Sequence, residues 1–547
     1  MADMLSSGLS GLLAYRRALD VIGHNIANAD TPGYSRQRVE LGARPPQLLG
    51  GGYVGNGVQI VGIERMYDEY LTSEVWASTS AHSRYQTYYT LGSRIDNLLA
   101  DPDAGLAPTL EDFFAAVHGL ANDPTSHAAR QVVLSQAQSL VDRFHHLDQR
   151  LTDMAEGMND QLLLAINDIN SIARSIAGLN EDIVKAMGAA GGAPPNDLLD
   201  KRDALIGKLA QYVDVRTARQ DDGSVNVFIG KGQALVLGKQ AATLSLDTGA
   251  DSAGQPEIYY SYASGVSTPI TKSMSGGAVG GIMEFRAQVL EPARKYLGEL
   301  AITLATEFNA QHAKGMDLNG NLGGEFFKVP ADPMGGAAAI ELLIHDTREI
   351  AAAAPIRSLA DFANSGNATI SAGEVLDASD PNLFDTVVIE FIDANTYSIN
   401  SAGSYAYTSG GNIDINGWRV KISGTPQAGD KFTVESNAGG VNDNRNALLL
   451  AGLQTAKTMV GGTTDFQGAY GQMVADVGIK TRQADINRMA QEQRLQQAEA
   501  DRSELSGVNL DEEAANLLRF QQAYQAAAQV VAVSHQLFQT LLQSFWR

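Results

Sequence analysis

Cysteine is absent from all 547 residues, which excludes disulfides, thiolate catalysis and Cys-based zinc sites. Aromatic residues are sparse at 7%, so packing must lean on aliphatic and small side chains. Positive charge is in deficit. Lys and Arg number 40 against 62 Asp and Glu, for a net charge of −22 and a pI near 4.8, with no dense basic cluster. Nucleic acid and anionic membrane both require a basic footprint, so neither is an expected partner. No unbroken apolar run approaches the roughly 18 residues of a membrane span. Met1-Ala2-Asp3 carries no positive charge, and Ser6, Ser7, Gly8 and Ser10 break up the apolar positions that follow, so no cleavable secretory signal is expected. The chain reads as soluble and, if exported, takes another route.

What the chain does have is an apolar stripe at each end. Leu5, Leu12, Leu19 and Ile26 recur every seven residues, with Gly8, Tyr15 and Ile22 between them. Leu510, Leu517, Tyr524, Val531, Phe538 and Phe545 repeat the spacing at the other end. A seven-residue apolar repeat marks a helix that supercoils on a partner. Ordinary bundle helices show the same spacing. Position favours self-assembly: a terminal helix with one narrow stripe cannot bury that stripe by itself. The two ends are expected to pair with each other and with copies in neighbouring subunits.

Between the ends, residues 1–28 read as one helix, stopped by Asn28-Ala29-Asp30-Thr31-Pro32-Gly33. Short strands are expected around Val39–Leu41 and Val58–Ile63. From Glu69 to Met187 the pattern is mostly helical, broken at Asp123-Pro124, with a third heptad stripe at Leu162, Ile169, Ile176 and Ile183. A Gly/Ala/Pro linker over 188–195 and a helix over 198–212 follow. The period then shifts to two in a β-rich stretch with a turn at Asp222-Gly223. Helix returns over 282–312. A second β-rich stretch spans roughly 357–436, with a tight turn at Asn416-Gly417. The rest is helical, interrupted near Gly461-Gly462 and Ser506-Gly507. The fold class is α+β multidomain: terminal coiled-coil helices and an elongated helical rod carrying two β-rich inserted domains. The expected divisions are 1–38 with 510–547 as paired terminal helices; 39–204, 280–350 and 441–509 as the rod; and 205–279 and 351–440 as the inserts.

No catalytic, metal or cofactor site is expected. Asp317-Leu318-Asn319-Gly320-Asn321 opens like a calcium loop, but Leu322 and Lys328 stand where the later positions need Gly and Glu, leaving a polar turn. His145-His146 lacks helical metal-ligand spacing, and no Ser or Asp is placed to make a recognisable triad with His24. The glycine runs at 50–57 and 276–281 lack the Lys-Ser/Thr of a phosphate loop.

Two segments carry a resemblance. Ala18-Leu19-Asp20-Val21-Ile22-Gly23-His24-Asn25-Ile26-Ala27-Asn28-Ala29-Asp30-Thr31-Pro32-Gly33-Tyr34 resembles the N-terminal signature of the bacterial flagellar axial proteins (rod, hook and hook-associated proteins), and Val508–Leu518 with Gln521–Ala527 is similar to their shared C-terminal helix. In the interior, Leu198-Leu199-Asp200-Lys201-Arg202-Asp203-Ala204-Leu205, the helix around Phe285 to His312 and Asp443–Leu448 look like the hook-associated members. The resemblance implies a structural subunit with no active site. It would leave the cell unfolded through the type III export apparatus after capture by a flagellar export chaperone, then form a ring of copies at the extracellular hook–filament junction. Its neighbours would be hook protein and hook-associated protein 3. The implied assembly residues are Leu5, Leu12, Tyr15, Leu19, Ile22 and Ile26 on the first helix. On the last they are Leu510, Leu517, Tyr524, Val531, Phe538 and Phe545, which would also bind the chaperone. The rival is an axial protein whose β-rich insert acts as a secreted enzyme or adhesin.

Overall fold

A computed structural model describes residues 2–49, 51–247, 256–262 and 265–546. Its helices are α1 (Ala2–Ala27), α2 (Glu69–Leu99), α3 (Leu106–Asn122), α4 (His127–Ala189), α5 (Asn196–Tyr212), α6 (Gly277–Phe285), α7 (Glu291–His312), α8 (Gly336–Ala339), α9 (Arg445–Gly452), α10 (Phe466–Ser506) and α11 (Leu510–Phe545). The chain divides into two compact units. One comprises Met1–Leu91, Gly157–Phe285 and Arg482–Arg547; the other comprises Gly92–Glu156 and Arg286–Thr481. The helices α2, α4 and α10 each supply a stretch to both.

In the first unit, α1 ends where the turn formers begin. Asn28 caps the last turn, its backbone N (3.2 Å) and its Nδ2 (2.9 Å) both donating to the His24 carbonyl, and Gly33 takes φ +83°, a conformation open to glycine. Strands β1 (Gln37–Ala43) and β4 (Val58–Arg65) pair antiparallel with a bulge after Glu40, and β2 (Gln47–Leu49) and β3 (Gly52–Val54) form the hairpin tip between them. In α4, Leu162, Ile169, Ile176 and Ile183 are all fully buried, as the third heptad stripe predicts. Buried Asn180 stitches this helix to the sheet beyond it. Its amide donates to the Val225 and Gly238 carbonyls, and its Oδ1 accepts from Val225 N. That sheet orders β5 (Val215–Arg219), β6 (Val225–Ile229), β7 (Gln233–Leu237) and β8 (Gln240–Ala241) consecutively. The predicted Asp222-Gly223 turn joins β5 to β6, with Gly223 at φ +85°. A second sheet runs β11 (Ser267–Pro269), β10 (Glu257–Ser261), β9 (Thr243–Asp247).

The second unit is built on an aromatic cluster. Phe113 of α3, Phe308 of α7, Phe326 and Phe327 all lie within 6.4 Å of Phe113 or one another, centroid to centroid, and all are fully buried. The helix expected over 282–312 is helical throughout, with one π-turn at Arg286–Leu290 between α6 and α7. Pro292 sits at the start of α7, and a proline there has no N–H for the preceding turn. The Gln288 carbonyl accepts instead from Lys480 Nζ (2.8 Å). After β12 (Phe327–Lys328) and β13 (Glu341–Leu342), two antiparallel sheets enclose one core. The first orders β14 (Ile356–Ala360), β22 (Lys431–Ser436), β17 (Val387–Asp393), β18 (Thr396–Ile399) and β19 (Ala402–Ala406). The second orders β15 (Thr369–Ile370), β21 (Trp418–Ser423) and β16 (Glu374–Val375), with β20 (Asn412–Ile415) also on β21. Trp418, Ile389, Phe391 and Phe432 fill the space between them. Asn416 and Gly417 both have positive φ, the geometry the predicted tight turn requires.

One stretch of α4 is long and apolar enough to cross a membrane by composition, but 44% of it is buried inside the protein. The apolar positions Leu140, Phe144, Leu147 and Leu151 of this helix serve as core.

Candidate assembly interface

The two ends of the chain meet. Helices α1 and α11 run antiparallel: Gly8 lies against Val531, Gly11 against Ala527, Tyr15 near Phe520, and Asn25 bonds Glu513. Small residues make the approach close. A Cβ on Gly8 would stand 2.9 Å from Val531 Cγ2, and one on Gly11 would touch the Ala527 methyl at 3.4 Å. The buried positions of α1 are Gly8, Ser10, Gly11, Ala14, Ala18, Val21, Ile22 and Asn25, so glycine and alanine fill much of the seam.

The heptad residues stand mostly on the flank of this seam. On α1, Ile22 is buried, Leu12, Tyr15 and Leu19 are half-buried, and Leu5 and Ile26 are exposed. On α11, Leu517 and Val531 are half-buried, while Leu510, Tyr524 and Phe538 are exposed. Phe545 falls inside the helix, but its side chain lies outside the described residues. The cause is geometric. A straight α-helix drifts about 20° per heptad against a seven-residue repeat, so from Leu510 to Val531 the stripe rotates by roughly 60° toward the seam.

Outside the seam an apolar surface is left over. Leu5, Leu9 and Leu13, one helical turn apart, are 43%, 51% and 58% exposed. On α11, Val533, Leu537, Phe538, Leu541 and Leu542 are exposed, as is Trp546 just past its end. From the pairing of Gly8 with Val531, the last turns of α11 run past the start of α1 and meet no counterpart on it. Leu9 and Leu13 escape a seven-residue count because they extend the surface by steps of four, the other neighbour spacing on a helix.

The seam closes on a polar node. Buried Asn25 donates to the Gln37 carbonyl (2.9 Å) and Glu513 Oε2 (3.1 Å), and accepts from the Tyr34 hydroxyl (2.8 Å) and Gln37 N (3.0 Å). Arg36 donates to Glu513 Oε1 (2.7 Å) and Glu512 Oε2 (2.6 Å). Asp200 of α5 accepts from Ser35 N (2.9 Å) and from Arg65 (2.7 Å), which also reaches Asp203 (2.9 Å). Burial, with Asp197, Asp200 and Glu513 nearby, raises the Tyr34 phenol well above its ordinary range, so it stays a donor. A carboxylate as buried as Glu513 needs such partners.

The titratable residues singled out in the sequence have structural neighbours. His145 Nε2 lies 2.8 Å from the Ile340 carbonyl. Asp317 Oδ1 accepts from the backbone of Asn319 and Asn321 at 2.8 Å each, a polar turn. Among the described residues no three His, Cys, Asp or Glu side chains group as a metal site.

Three family models match. They are described as "Flagella basal body rod protein" over residues 5–34, "Flagellar hook-associated protein FlgK helical domain" over 92–327, and "Flagellar basal body rod FlgEFG protein C-terminal" over 500–544. Flagellar hook-associated protein 1 of Salmonella typhimurium is 32% identical over 99% of this chain and 100% of its own length. The chain belongs to the flagellar hook-associated protein 1 family. The Bacillus subtilis member is 25% identical over 98% of this chain and 97% of its own. A solved structure, the flagellar hook junction protein FlgK from Burkholderia pseudomallei, superposes with a TM-score of 0.73 at 26% identity, covering 79% of this chain and 100% of that one. The chain is thus a component of the bacterial flagellum with the α+β multidomain fold of the hook-associated protein 1 family. Three of the segments that carry the resemblance in sequence, 18–34, 198–205 and 508–518, meet around the Asn25–Glu513–Asp200 node. No local pattern announces that meeting, because its members lie up to 488 residues apart.

Proposed function

We propose that the chain is a structural subunit of the hook–filament junction, assembling as a ring of copies through the apolar surface its paired terminal helices leave open. The observation that carries this reading is that surface: an in-chain seam satisfied by glycine and alanine, with Leu5, Leu9 and Leu13 on one helix and Leu537 to Trp546 on the other unused. Exposed apolar surface left beside a closed seam marks an interaction site. The half-buried heptad residues Leu12, Tyr15, Leu19, Leu517 and Val531 complete the contact with adjacent copies from the flank, and Leu510, Tyr524, Phe538 and Phe545 extend it.

In this reading residues 1–38 and 510–547 form the inner core of the ring. Residues 39–204, 280–350 and 441–509 form its wall, and 205–279 and 351–440 face outward. Hook protein lies on one side and hook-associated protein 3 on the other. The subunit reaches this extracellular place through the type III export apparatus, with a chaperone covering α11 beforehand, since a bare Leu/Phe surface invites aggregation. No observation favours a catalytic or adhesive role for either β-rich insert. The test is deletion of 510–547 in a flagellated bacterium lacking its own hook-associated protein 1. Incorporation into flagella and chaperone capture are both expected to be lost. A truncated subunit that still assembles overturns the reading.

A further inference from the structure

The five-stranded sheet of the second unit ends in two open edges, β14 and β19. On β14, Asp361 N donates to the Lys431 carbonyl and Asn437 N to the Pro355 carbonyl. By alternation, residues 355, 357, 359 and 361 face β22, and Ser358 and Ala360 turn their main-chain groups outward. On the other side Tyr407 N donates to the Asn395 carbonyl. Tyr405 and Tyr407 therefore face β18, and Ser404 and Ala406 turn outward. Among the described residues no hydrogen bond meets the outward main-chain groups of these four. Edge strands are normally guarded by charge or proline. Neither Ser358–Ala360 nor Ser404–Ala406 contains either, and no charged residue occurs between Asp393 and Asp414.

What satisfies an open edge is another strand, and these two edges complement each other. Both read small, large, small: Ser358-Leu359-Ala360 and Ser404-Tyr405-Ala406. Leu359 is 47% and Tyr405 46% exposed. Ser358 and Ala360 stand opposite Val434 and Phe432, and Tyr405 opposite Tyr397, so these three lie on the core side of the sheet. Leu359, opposite Thr433, lies on the outer side, as do Ser404 and Ala406. Every neighbouring pair in the sheet is antiparallel, so the first and last of its five strands run the same way. Setting β19 of one copy beside β14 of the next gives a parallel pair with both faces continued. Tyr405 then covers Ser358 and Ala360 on the core side, and Leu359 covers Ser404 and Ala406 on the outer side.

One chain cannot close this contact on itself. Four strand spacings separate β14 from β19, about 19 Å. Pairing β19 with β19 of a second copy would set Tyr405 against Tyr405, large on large, and would close a two-fold dimer. Only the pairing of unlike edges matches large to small and leaves a free edge on each side for the next copy.

We propose that β19 of one copy adds to β14 of the next as a parallel strand, joining the second β-rich inserts of adjacent copies into one continuous sheet. The contact is head to tail, the kind that builds rings or helical arrays. It rests on the junction reading. With about three main-chain hydrogen bonds it is too small to hold two free subunits together. It forms once the terminal helices have brought copies side by side.

The absence of native cysteine makes the contact easy to trap. Leu359→Cys/Ser404→Cys and Leu359→Cys/Ala406→Cys cover the two registers that keep Leu359 beside a small residue. In assembled flagella treated with a short thiol-specific crosslinker, one of the two is expected to give a ladder of linked multimers on an immunoblot. The free subunit and the single variants should give none. Adding Ala406→Pro to the first pair, or Ser404→Pro to the second, removes an outward N–H without touching the β18 ladder. It is expected to cut the multimers at least tenfold with monomer melting unchanged. Incorporated double variants without a ladder overturn the contact and leave the junction reading standing. So do linkage through Ser404→Cys or Ala406→Cys alone, linkage to a different axial protein, and a ladder that proline does not diminish. Should the cysteine pairs fail to fold, Ser404→Pro/Ala406→Pro in the cysteine-free chain decides. Incorporation about tenfold lower with parental melting supports the contact, and parental incorporation overturns it. A parent chain that does not enter flagella removes the junction reading and the contact with it.

Discussion

Replacing Leu9 and Leu13 together by Asp separates assembly from folding. Both side chains are about half exposed in the subunit. Full burial of a leucine stabilises by about 1.5–3 kcal/mol, so the half still open in each offers about 1 kcal/mol to a neighbouring copy. Losing both weakens each subunit contact by about 2 kcal/mol, or roughly thirtyfold. Desolvating two carboxylates against an apolar partner adds to that. Inside the free subunit the change is small. Neither position is among the buried positions of α1, and the helix-propensity cost is at most about 1 kcal/mol for the pair. The assay compares incorporation into flagella, by immunoblot of sheared filaments and hook-basal bodies, with hydrogen exchange of residues 2–27 in the purified subunit. The expected result is exclusion from flagella with α1 exchange nearly unchanged. If the variant incorporates as well as the parent, the exposed ridge is not the assembly surface. If α1 loses protection as severely as assembly is lost, the ridge serves the fold of the monomer instead.

Three further outcomes follow from the geometry. Gly8→Val should pry α1 from α11, because its β-carbon already meets Val531 Cγ2 at 2.9 Å; faster exchange at both ends of the free subunit checks it, and unchanged exchange contradicts the seam. Asn25→Ala removes four hydrogen bonds at a fully buried position and should cost about 3 kcal/mol, read as a lower denaturation midpoint for the segment joining α1 to α11. His312 is buried, its Nδ1 2.8 Å from the Gly324 carbonyl and its Nε2 accepting from Ala351 N at 2.9 Å; burial pushes its pKa down from 6.5 to about 4. Between these values the unfolded chain binds the proton and the native one does not, so stability should be full above pH 6.5 and fall by about 3 kcal/mol as the pH drops to 4. A His312→Leu variant that keeps this slope would show that the dependence comes from elsewhere.

Much of the architecture was legible because it is written in local periodicity. The stops at Asn28–Gly33 and Asp123-Pro124, the buried stripe of α4 and the turns at Asp222-Gly223 and Asn416-Gly417 depend on neighbours a few residues away, and each stands where the pattern puts it. The π-turn at Arg286–Leu290 was not legible, since it answers to Pro292 together with Lys480 from a distant helix. The terminal stripes were read as the contact faces, yet their axis is offset from the in-chain seam. A count of seven does not track the face of a straight helix of 3.6 residues per turn, and the seam itself is made of glycine and alanine, which no apolar count detects.

Periodicity and turn chemistry are properties of short stretches, so residue order was enough to establish long amphipathic ends, two alternating β-rich stretches and the likeness to flagellar axial proteins. Which faces of those ends are spent inside the subunit and which remain for a neighbour is a different kind of fact. It depends on Gly8 meeting Val531 and Asn25 meeting Glu513 across nearly the whole chain, and contacts between residues so far apart acquire an energy only once the backbone has brought them together.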